Sequence, residues 1–357
     1  MKNVILLILI SLIFIGLFNF YLYLFLKKIR FVNFIKNFFV YFFSSLIVFI
    51  FLDFYVFKFF GHGYPSSISE EKYERASSPY DAFSGAPYYK DHNSLGFRGT
   101  EFKNNKKDNT IQIAFFGGST GYNGDPPIIN LVKKLLIEKN LEVETYNFSS
   151  VSSNHNQHIH RLIKHSNLNF DVVIFYGGAN ETLQTYLYDP RPGYPFNFWV
   201  RNELDKLKYL LLKYSSIYAE YEKKTGNVTA IKQIKKDINF KSDKWIGNLI
   251  KNYYSTLNKA KKISEKVINS NVCNKTKFFA FYQPISINRS DEFSKKIIIV
   301  TKKFFNNNEL LIDISDSISE SDFTDSIHIT QSAKNIISQE IFKNIYPYII
   351  NECEWLL

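Results

Sequence analysis

Cysteine is scarce in this chain, which has only Cys273 and Cys353 among its 357 residues. Their separation fits neither a zinc-ligand set nor a redox motif, so we expect no metal centre and no thiol-based active site. A disulfide between them is possible in an oxidising compartment, but the sequence favours two separate thiols. Internal repeats and low-complexity tails are also missing, and the length suffices for one α/β domain with additional segments.

Acidic residues are outnumbered: 33 Asp and Glu stand against 44 Lys and Arg, a formal net charge of +11. Residues 201–280 contain 18 basic and 7 acidic residues, so an excess of 11 is concentrated there. Solvated helix faces are the simplest explanation, and a surface facing anionic lipid or glycan is the alternative. No nucleic-acid recognition motif accompanies the charge, so we expect no nucleic-acid partner.

Charged residues are absent from two apolar runs near the start, residues 4–26 and 38–52. At about 1.5 Å per residue the first run is long enough to span a hydrocarbon core, and no small-residue cleavage site follows it. The second run continues to residue 60, with Asp53 and Lys58 near its far end, where an interface suits them. We therefore predict two transmembrane helices, at about 4–26 and 38–60.

The short link between these runs carries four basic residues, whereas Lys2 is the only basic side chain before them. The positive-inside rule places such a link in the cytoplasm and both chain ends on the other side. We therefore expect an inner (cytoplasmic) membrane protein whose remaining chain is extracytoplasmic, in the periplasm. Residues 61–108 form a polar connector without periodicity, and residues 109–357 form an α/β domain with a helical insertion at about 181–271.

A buried strand is predicted at residues 111–116, followed by the tight turn Gly117-Gly118 with Ser119 at its tip. Further strands and helices alternate after it, which indicates a parallel sheet covered by helices on both faces. The predicted strands are 142–147, 171–176, 278–282 and 310–314, and the predicted helices are 128–138, 154–165, 203–223, 244–268 and 330–346.

Reactive side chains follow three of these strands: Ser119, Asn180, and the pair Asp325 and His328. A serine hydroxyl needs a base to become a nucleophile, and histidine is the usual base near neutral pH. Asp325 precedes His328 by three residues, a spacing that brings its carboxylate beside the imidazole Nδ1–H and directs Nε2 toward Ser119. Each motif alone is weak, since Asp325 could cap the closing helix and the glycine turn could be an ordinary loop.

Attack on an ester builds a negative oxygen, which needs hydrogen-bond donors placed in advance. The Ser119 N–H, the Asn180 amide and a backbone N–H from residues 149–153 are the candidates. All fall beyond strand ends on one rim of the predicted sheet, where open α/β sheets bind ligands.

At these residues the chain resembles the SGNH hydrolases, the GDSL-type esterase and acylhydrolase family, in its membrane-anchored bacterial form. The blocks that carry the resemblance are FFGGST, YGGAN and DSIH, preceded by GFRG. The resemblance implies a flavodoxin-like three-layer sandwich with a parallel sheet, and it implies catalytic roles for Ser119, Asp325 and His328. It also implies an oxyanion hole formed by Ser119, Asn180 and Ser152, although Ser152 replaces the family's glycine.

Three residues near these blocks are weaker candidates for contacts with the substrate: Arg98, Gly118 and Glu181. For Arg98 the simpler interpretation is a place in a packed loop, and for Glu181 it is a structural role. Gly118 stands where many family members have aspartate. Four histidines at positions 155, 158, 160 and 165 do not match zinc-ligand spacing, so we expect exposed helix residues there.

The resulting expectation is a membrane-anchored extracytoplasmic serine esterase or acylhydrolase that removes an acyl (acetyl) group from an envelope glycan or lipid. No metal or organic cofactor is required for this chemistry. Two alternatives stay open. One is an O-acyltransferase that uses the same residues to acylate a surface glycan, and the other is a binding or assembly protein with weak catalysis, which Ser152 favours.

Overall fold

A computed structural model of the chain describes residue 21 and residues 31–60, 75–78, 82–102, 109–187, 215–218, 221 and 242–353. The predicted transmembrane segment 4–26 and the predicted helix 203–223 lie outside the described residues except for single positions and one short stretch. The chain divides into two units, residues 1–65 with 210–224 and residues 66–209 with 225–357.

The first unit contains one long helix, α1, at Phe31–Phe60. Its section Asn37–Val56 has a mean hydropathy of 2.1 and is long and apolar enough to cross a membrane. Asp53 near the end of this section accepts hydrogen bonds from the Ser215 hydroxyl at 2.8 Å and the Ile217 N–H at 2.9 Å. The carboxylate in an otherwise apolar helix therefore has partners.

The second unit is built around a five-stranded parallel sheet, with a short antiparallel hairpin preceding it in the chain. The sequence shows no sign of this hairpin, which lies within the segment predicted as an irregular connector. The hairpin strands are β1 (Arg75–Ser78) and β2 (Ala82–Gly85), and the sheet strands are β3 (Ile111–Gly117), β4 (Val143–Asn147), β5 (Val172–Gly177), β6 (Lys277–Tyr282) and β7 (Ile312–Asp313).

The sheet order is β4-β3-β5-β6-β7, and every pairing is parallel. Numbered within the sheet, this is the order 2-1-3-4-5 of flavodoxin-like folds, in which ligands bind where the chain direction switches between the first and third strands. The ends of β3 and β5 border that switch point. The predicted parallel sheet is confirmed.

Helices cover both faces of the sheet because apolar residues occupy both faces of its strands. Ile111, Ile113 and Phe115 face one cluster, and Ala114 and Phe116 face the other. The predicted three-layer arrangement is therefore confirmed. The helices are α2 (Ser119–Tyr122), α3 (Ile128–Ile137), α4 (His155–Lys164), α5 (Ala179–Leu187), α6 (Asp243–Val267), α7 (Glu292–Phe305) and α8 (Gln331–Glu352).

Three helices, the short α2 together with α5 and α7, occupy stretches for which no separate helix is predicted. The buried positions 294, 297, 298, 301 and 305 of α7 follow a helical period, and Asp291 caps this helix by accepting the N–H groups of Phe293 and Ser294. Helices α4, α6 and α7 pack on one face of the sheet, and α3 and α8 pack on the other.

The amino-terminal edge of the sheet is tied together by polar and covalent links. The buried Asp171 carboxylate accepts the Gln112 N–H and the N–H groups of residues 271–273, so it anchors the loop before β6. In the same loop Cys273 forms a disulfide with Cys353 at the end of α8. The expectation of two separate thiols is therefore wrong, because the fold brings positions 80 residues apart to one edge.

Candidate active site

Ser119 lies where β3 gives way to the short helix α2, at the carboxyl edge of the sheet. The chain turns through Gly118, whose carbonyl accepts the N–H groups of Gly121 and Tyr122. Ser119 is 8% exposed, so the residue is largely buried. Among the described residues its backbone N–H has no acceptor, and it lies at a helix start, where negative charge is favoured.

The sequence around Asp325 and His328 folds into a tight turn that aims the imidazole. Asp325 Oδ1 accepts the N–H groups of Ile327 at 2.8 Å and His328 at 2.7 Å, the local bonding pattern that short acidic side chains favour in turns. A bridge between Phe323 and Ile329 closes the turn at its base. The other carboxylate oxygen, Oδ2, is then free to reach the ring.

Three side chains form a continuous hydrogen-bonded line across the edge of the sheet. Ser119 Oγ lies 2.8 Å from His328 Nε2, although 209 positions separate the two residues. His328 Nδ1 lies 2.6 Å from Asp325 Oδ2. With Nδ1–H donating to the carboxylate, Nε2 presents its lone pair to the serine hydroxyl, which is the arrangement a general base requires.

The protonation of Asp325 suits this arrangement. Partial burial raises the pKa of its carboxyl, but hydrogen bonds from the His328 ring and from the N–H groups of His328 and Ile327 outweigh burial and lower it. The carboxylate is therefore ionised at neutral pH and accepts the Nδ1 proton. Both groups are open to solvent, with side chains 54% exposed for Asp325 and 32% for His328.

Asn180 lies in the first turn of α5, after β5, and faces the serine turn. Its amide Nδ2 donates to Ser153 O at 2.7 Å, and the second amide hydrogen has no acceptor among the described residues. A Cβ at Gly118 would lie only 2.1 Å from this nitrogen. Glycine at position 118 therefore permits the Asn180 amide to lie against the backbone of the turn that precedes Ser119.

The loop at residues 149–154 holds Ser152 in the left-handed region, with φ of 63°. This is the conformation for which glycine is ordinarily preferred, and a serine there costs about 1–2 kcal/mol. The loop is held from both ends, since Ser150 N donates to Gly117 O at 3.2 Å and Ser153 Oγ donates to Ser150 O at 2.7 Å. The strained residue is thus fixed by its neighbours.

A buried group beneath this loop, made of Ser153, His155, His158, Arg161 and Glu181, supports it. His158 Nε2 lies 2.9 Å from Ser153 Oγ, and His155 Nδ1 lies 3.0 Å from His158 Nδ1 and 3.1 Å from Glu181 Oε1. Arg161 donates to Ser153 Oγ at 3.3 Å. Neutral rings satisfy these contacts when His155 Nδ1–H is the donor and His158 Nε2–H donates to the serine.

The predicted exposure of the four histidines is wrong for three of them. The residues at 155 and 158 are fully buried and His165 is 8% exposed, whereas His160 is exposed. Burial lowers the pKa of His155, against the opposing effect of Glu181. Burial, followed by the neighbouring His155 and Arg161, lowers the pKa of His158 well below its usual value. No signal in the polar helix pattern distinguishes a buried polar face from a solvated one.

Two weaker candidates are placed in supporting positions. Glu181 accepts the N–H groups of His155 at 2.8 Å and Gly178 at 2.7 Å, so it joins two loops of the site. The Arg98 guanidinium bonds Asp91 Oδ2 at 2.7 Å and the carbonyls of Tyr122 and Gly124 at 2.8 Å. Arg98 therefore secures the chain just after α2, the helix that begins at Ser119.

A pocket of about 300 Å³ borders His328 and Thr120, the residue that follows Ser119. Its lining residues are Thr120, Asn123, Thr324, Asp325, His328, Ile329 and Lys334. Lys334 is absent from the sequence prediction because a lysine near the start of a helix carries no motif. No group of three or more histidine, cysteine, aspartate or glutamate side chains in the described part of the chain is arranged to hold a metal ion.

Solved structures similar to this chain include lipases and esterases, among them a member of the lipolytic protein G-D-S-L family from Veillonella parvula, whereas no protein-family model and no curated protein matches it. The lipase/acylhydrolase from Enterococcus faecalis is 14% identical over 67% of this chain and 96% of that one, with a TM-score of 0.39. The esterase EstA from Pseudoalteromonas sp., inhibited by monoethylphosphonate, is 14% identical over 68% and 100%, with a TM-score of 0.36. The acetylxylan esterase Axe2 from Geobacillus stearothermophilus is 12% identical over 66% and 94%, with a TM-score of 0.35.

Proposed function

We propose that the protein is a serine esterase or acylhydrolase that acts through an acyl-serine intermediate. The observation that carries this proposal is the unbroken line from Ser119 Oγ through the His328 ring to Asp325, with contacts of 2.8 and 2.6 Å. A hydroxyl, an imidazole and a carboxylate in this order are the groups that acyl transfer to serine requires.

The reaction proceeds in two halves. Ser119 Oγ attacks the ester carbonyl carbon while its proton passes to His328 Nε2, and the carbonyl oxygen becomes negative. The bond to the alcohol oxygen then breaks, and His328 returns the proton to that oxygen, which leaves an acyl ester on Ser119. Water attacks this ester with His328 again taking the proton, and collapse releases the acid and restores the serine hydroxyl.

The negative oxygen needs donors at the point where it forms. The Ser119 N–H and the second hydrogen of the Asn180 amide lie at the turn formed by Gly118 and Ser119. The loop that contains Ser152 lies next to this amide, because the Asn180 Nδ2 donates to Ser153 O. We assign the oxyanion hole to the N–H of Ser119, the N–H of Ser152 and the Asn180 side chain. Mutational loss of one such donor costs about 10²–10³ in kcat.

We further propose that the enzyme is anchored in the inner membrane with the catalytic unit outside the cytoplasm. The apolar section of α1 supports an anchor, and the disulfide between Cys273 and Cys353 supports an oxidising compartment. The predicted topology has two transmembrane helices, at about 4–26 and 38–60, and the remaining chain outside the cytoplasm. It agrees with a membrane anchor and with an oxidising compartment. The proposed substrate is then an acyl ester, for example an acetyl ester, of a glycan or lipid of the cell envelope.

The exposure of the base favours water as the acyl acceptor over a sugar hydroxyl. His328 and Asp325 are open to solvent, so water can reach the base that would activate it. An O-acyltransferase that uses the same residues would need a site that excludes water from this position. Product analysis with an acetyl ester donor, with and without a glycan acceptor, separates the two: free acetate indicates hydrolysis and an acetylated acceptor indicates transfer.

The direct test is labelling of the full-length protein, in detergent, with a fluorophosphonate probe that reacts with activated serines. We expect labelling that is lost in Ser119→Ala, together with release of acetate from aryl acetates. Ser315→Ala, a substitution of another serine at the sheet edge, is the control and should label normally. Absence of labelling in folded wild-type protein would contradict the proposal and favour a binding or assembly protein.

A further inference from the structure

Lys334 is an unusual residue for its position in the fold. It lies at the end of the first turn of α8, where its N–H makes the bond to Thr330 O at 3.2 Å. Side chains on a helix lean toward its amino terminus, which carries partial positive charge. A cation is therefore disfavoured here, and the first turn of α8 contains no acidic residue to offset it.

The side chain of Lys334 is also largely buried, and its ammonium has no partner. The residue is 7% exposed, and no described residue gives its ammonium a hydrogen bond or a salt bridge. A charged group removed from water without a partner costs several kcal/mol, so such groups are ordinarily paired. Burial lowers the pKa of this lysine, and the positive charge of Arg98 lowers it further.

Arg98 is also a cation, so it repels the ammonium of Lys334 and cannot pair with it. Its guanidinium bonds the Asp91 carboxylate and two backbone carbonyls, one of which belongs to Gly124. Gly124 also borders Lys334, since a Cβ at position 124 would lie 2.8 Å from the lysine Nζ. Two cations thus flank the same short stretch of backbone.

The unpartnered ammonium lines the same pocket as the catalytic base. His328 and Asp325 form part of one wall, and Lys334 forms part of the pocket with Thr120 and Asn123, which belong to the nucleophile segment. In the proposed reaction His328 returns the proton to the leaving alcohol oxygen, so the alcohol portion lies on the His328 side of the ester, where this pocket contains Lys334. The Asp325 carboxylate repels negative charge from its own side, which leaves the lysine side for an anionic group.

We propose that the substrate is an acyl ester whose alcohol portion carries an anionic group, a carboxylate or a phosphate, bound by Lys334. The inference rests on the proposed esterase function and adds its substrate class. The anion supplies the partner that the lysine lacks, and it lies at the amino terminus of α8, where backbone N–H groups and the helix dipole favour it. Neutral esters of the same shape leave the ammonium buried and unpaired.

The test compares matched pairs of acetyl esters that differ in charge. The carboxylate pair is 3-acetoxybenzoate and its methyl ester, and the phosphate pair is 1-acetylglycerol 3-phosphate and 1-acetylglycerol. The readout is the ratio of kcat/KM for the anionic ester to that for the neutral ester, measured on the full-length protein in detergent. Lys334→Met removes the charge, Lys334→Arg keeps it, and Lys343→Met, an exposed lysine on the same helix, is the matched control.

We expect wild-type protein to prefer the anionic member of at least one pair, and the preferred pair identifies the carboxylate or the phosphate as the group recognised. In Lys334→Met that ratio should fall about 10- to 100-fold, which is the effect of one hydrogen bond to a charged group. Lys334→Arg should retain the preference within about threefold, and Lys343→Met should equal wild type. Lys334→Met should also melt at a higher temperature, because it removes an unpaired buried charge.

An equal ratio in wild type and Lys334→Met, in both pairs, would overturn this inference. Fluorophosphonate labelling of Ser119 in the same samples separates that result from failure of the esterase proposal. Labelled protein that hydrolyses both members of each pair without a charge preference refutes the substrate class alone. Protein that is folded, unlabelled and inactive toward all four esters refutes both.

Discussion

A single methyl group at Gly118 should test the geometry of the oxyanion hole. The φ of Gly118 is −79°, which any residue adopts, so alanine introduces no backbone strain there. Its Cβ would lie 2.1 Å from Asn180 Nδ2, whereas ordinary contact begins at 3.4 Å, a shortfall of about 1.3 Å. The next contacts, with Asn180 Cγ and Ser153 O at 3.2 Å, are only slightly tight. The substitution therefore acts mainly on the Asn180 amide, through its nitrogen.

The expected effect follows from what that nitrogen does. A displacement of about 1 Å is enough to cost on the order of 10²-fold in rate when a group must meet a reacting atom, and loss of an oxyanion donor costs about 3–4 kcal/mol. We expect Gly118→Ala to lower kcat for an aryl acetate about 10²- to 10³-fold with little change in KM, because the donor acts on the transition state. Gly247→Ala, in open space on α6, is the control and should keep wild-type kinetics.

A double-mutant cycle isolates the cause. Asn180→Ala removes the colliding nitrogen as well as the donor, so Gly118→Ala should then cost little more, within about threefold of Asn180→Ala alone. Circular dichroism checks that every variant is folded. If Gly118→Ala is equally harmful with and without the Asn180 side chain, the effect is transmitted by the backbone and the assigned role of Asn180 is refuted.

Two further predictions concern stability. Reduction of the Cys273–Cys353 disulfide, or Cys353→Ser, should lower the free energy of unfolding by about 4 kcal/mol, since the bond closes a loop of 80 residues. Urea unfolding with and without reductant measures this free energy, and an unchanged value would contradict the prediction. Acid should destabilise the protein through its buried histidines. The pKa values of His155 and His158 are lowered in the folded state, so below about pH 6.5 the unfolded chain binds protons that the folded chain does not. Stability then falls by up to about 1.4 kcal/mol per pH unit for each histidine until the folded-state pKa is reached. Above about pH 6.5 the full stability is present. Urea titrations at pH 7.5 and 5.5 should show a smaller loss in His158→Gln, and an equal loss would count against the neutral state assigned to this ring.

The sheet strands could be predicted from the sequence because each is a short apolar run between polar turns. Strand β3, predicted at residues 111–116, is found at Ile111–Gly117, and the others begin and end within about two residues of their predicted bounds. The alternation of strands and helices fixes parallel pairing, which puts all carboxyl ends at one edge. That rule brings the segment after β7 to the edge where Ser119 lies, and the turn at Asp325 then aims His328 at the serine.

Features that depend on packing of polar groups could not be predicted in this way. A polar side chain on a helix is compatible with solvent or with a buried network, and His158 lies in such a network only because Ser153 and Arg161 come to it from neighbouring turns. Lys334 is missed for the same reason, since its burial depends on Gly124 in a distant loop. The disulfide is missed because 80 residues separate its two cysteines.

The site contains two histidine–carboxylate pairs, and their surroundings decide which can act as the base. His155 contacts Glu181 at 3.1 Å and is fully buried, with its Nε2 enclosed beside Gly177. That nitrogen has no route to a substrate, so this pair can only hold the loops. His328 contacts Asp325 at 2.6 Å, keeps its Nε2 on the Ser119 hydroxyl and is open to solvent on its other side. The same two groups thus serve as support where they are enclosed, and they serve in the proposed reaction as a proton shuttle where water and an ester can reach them.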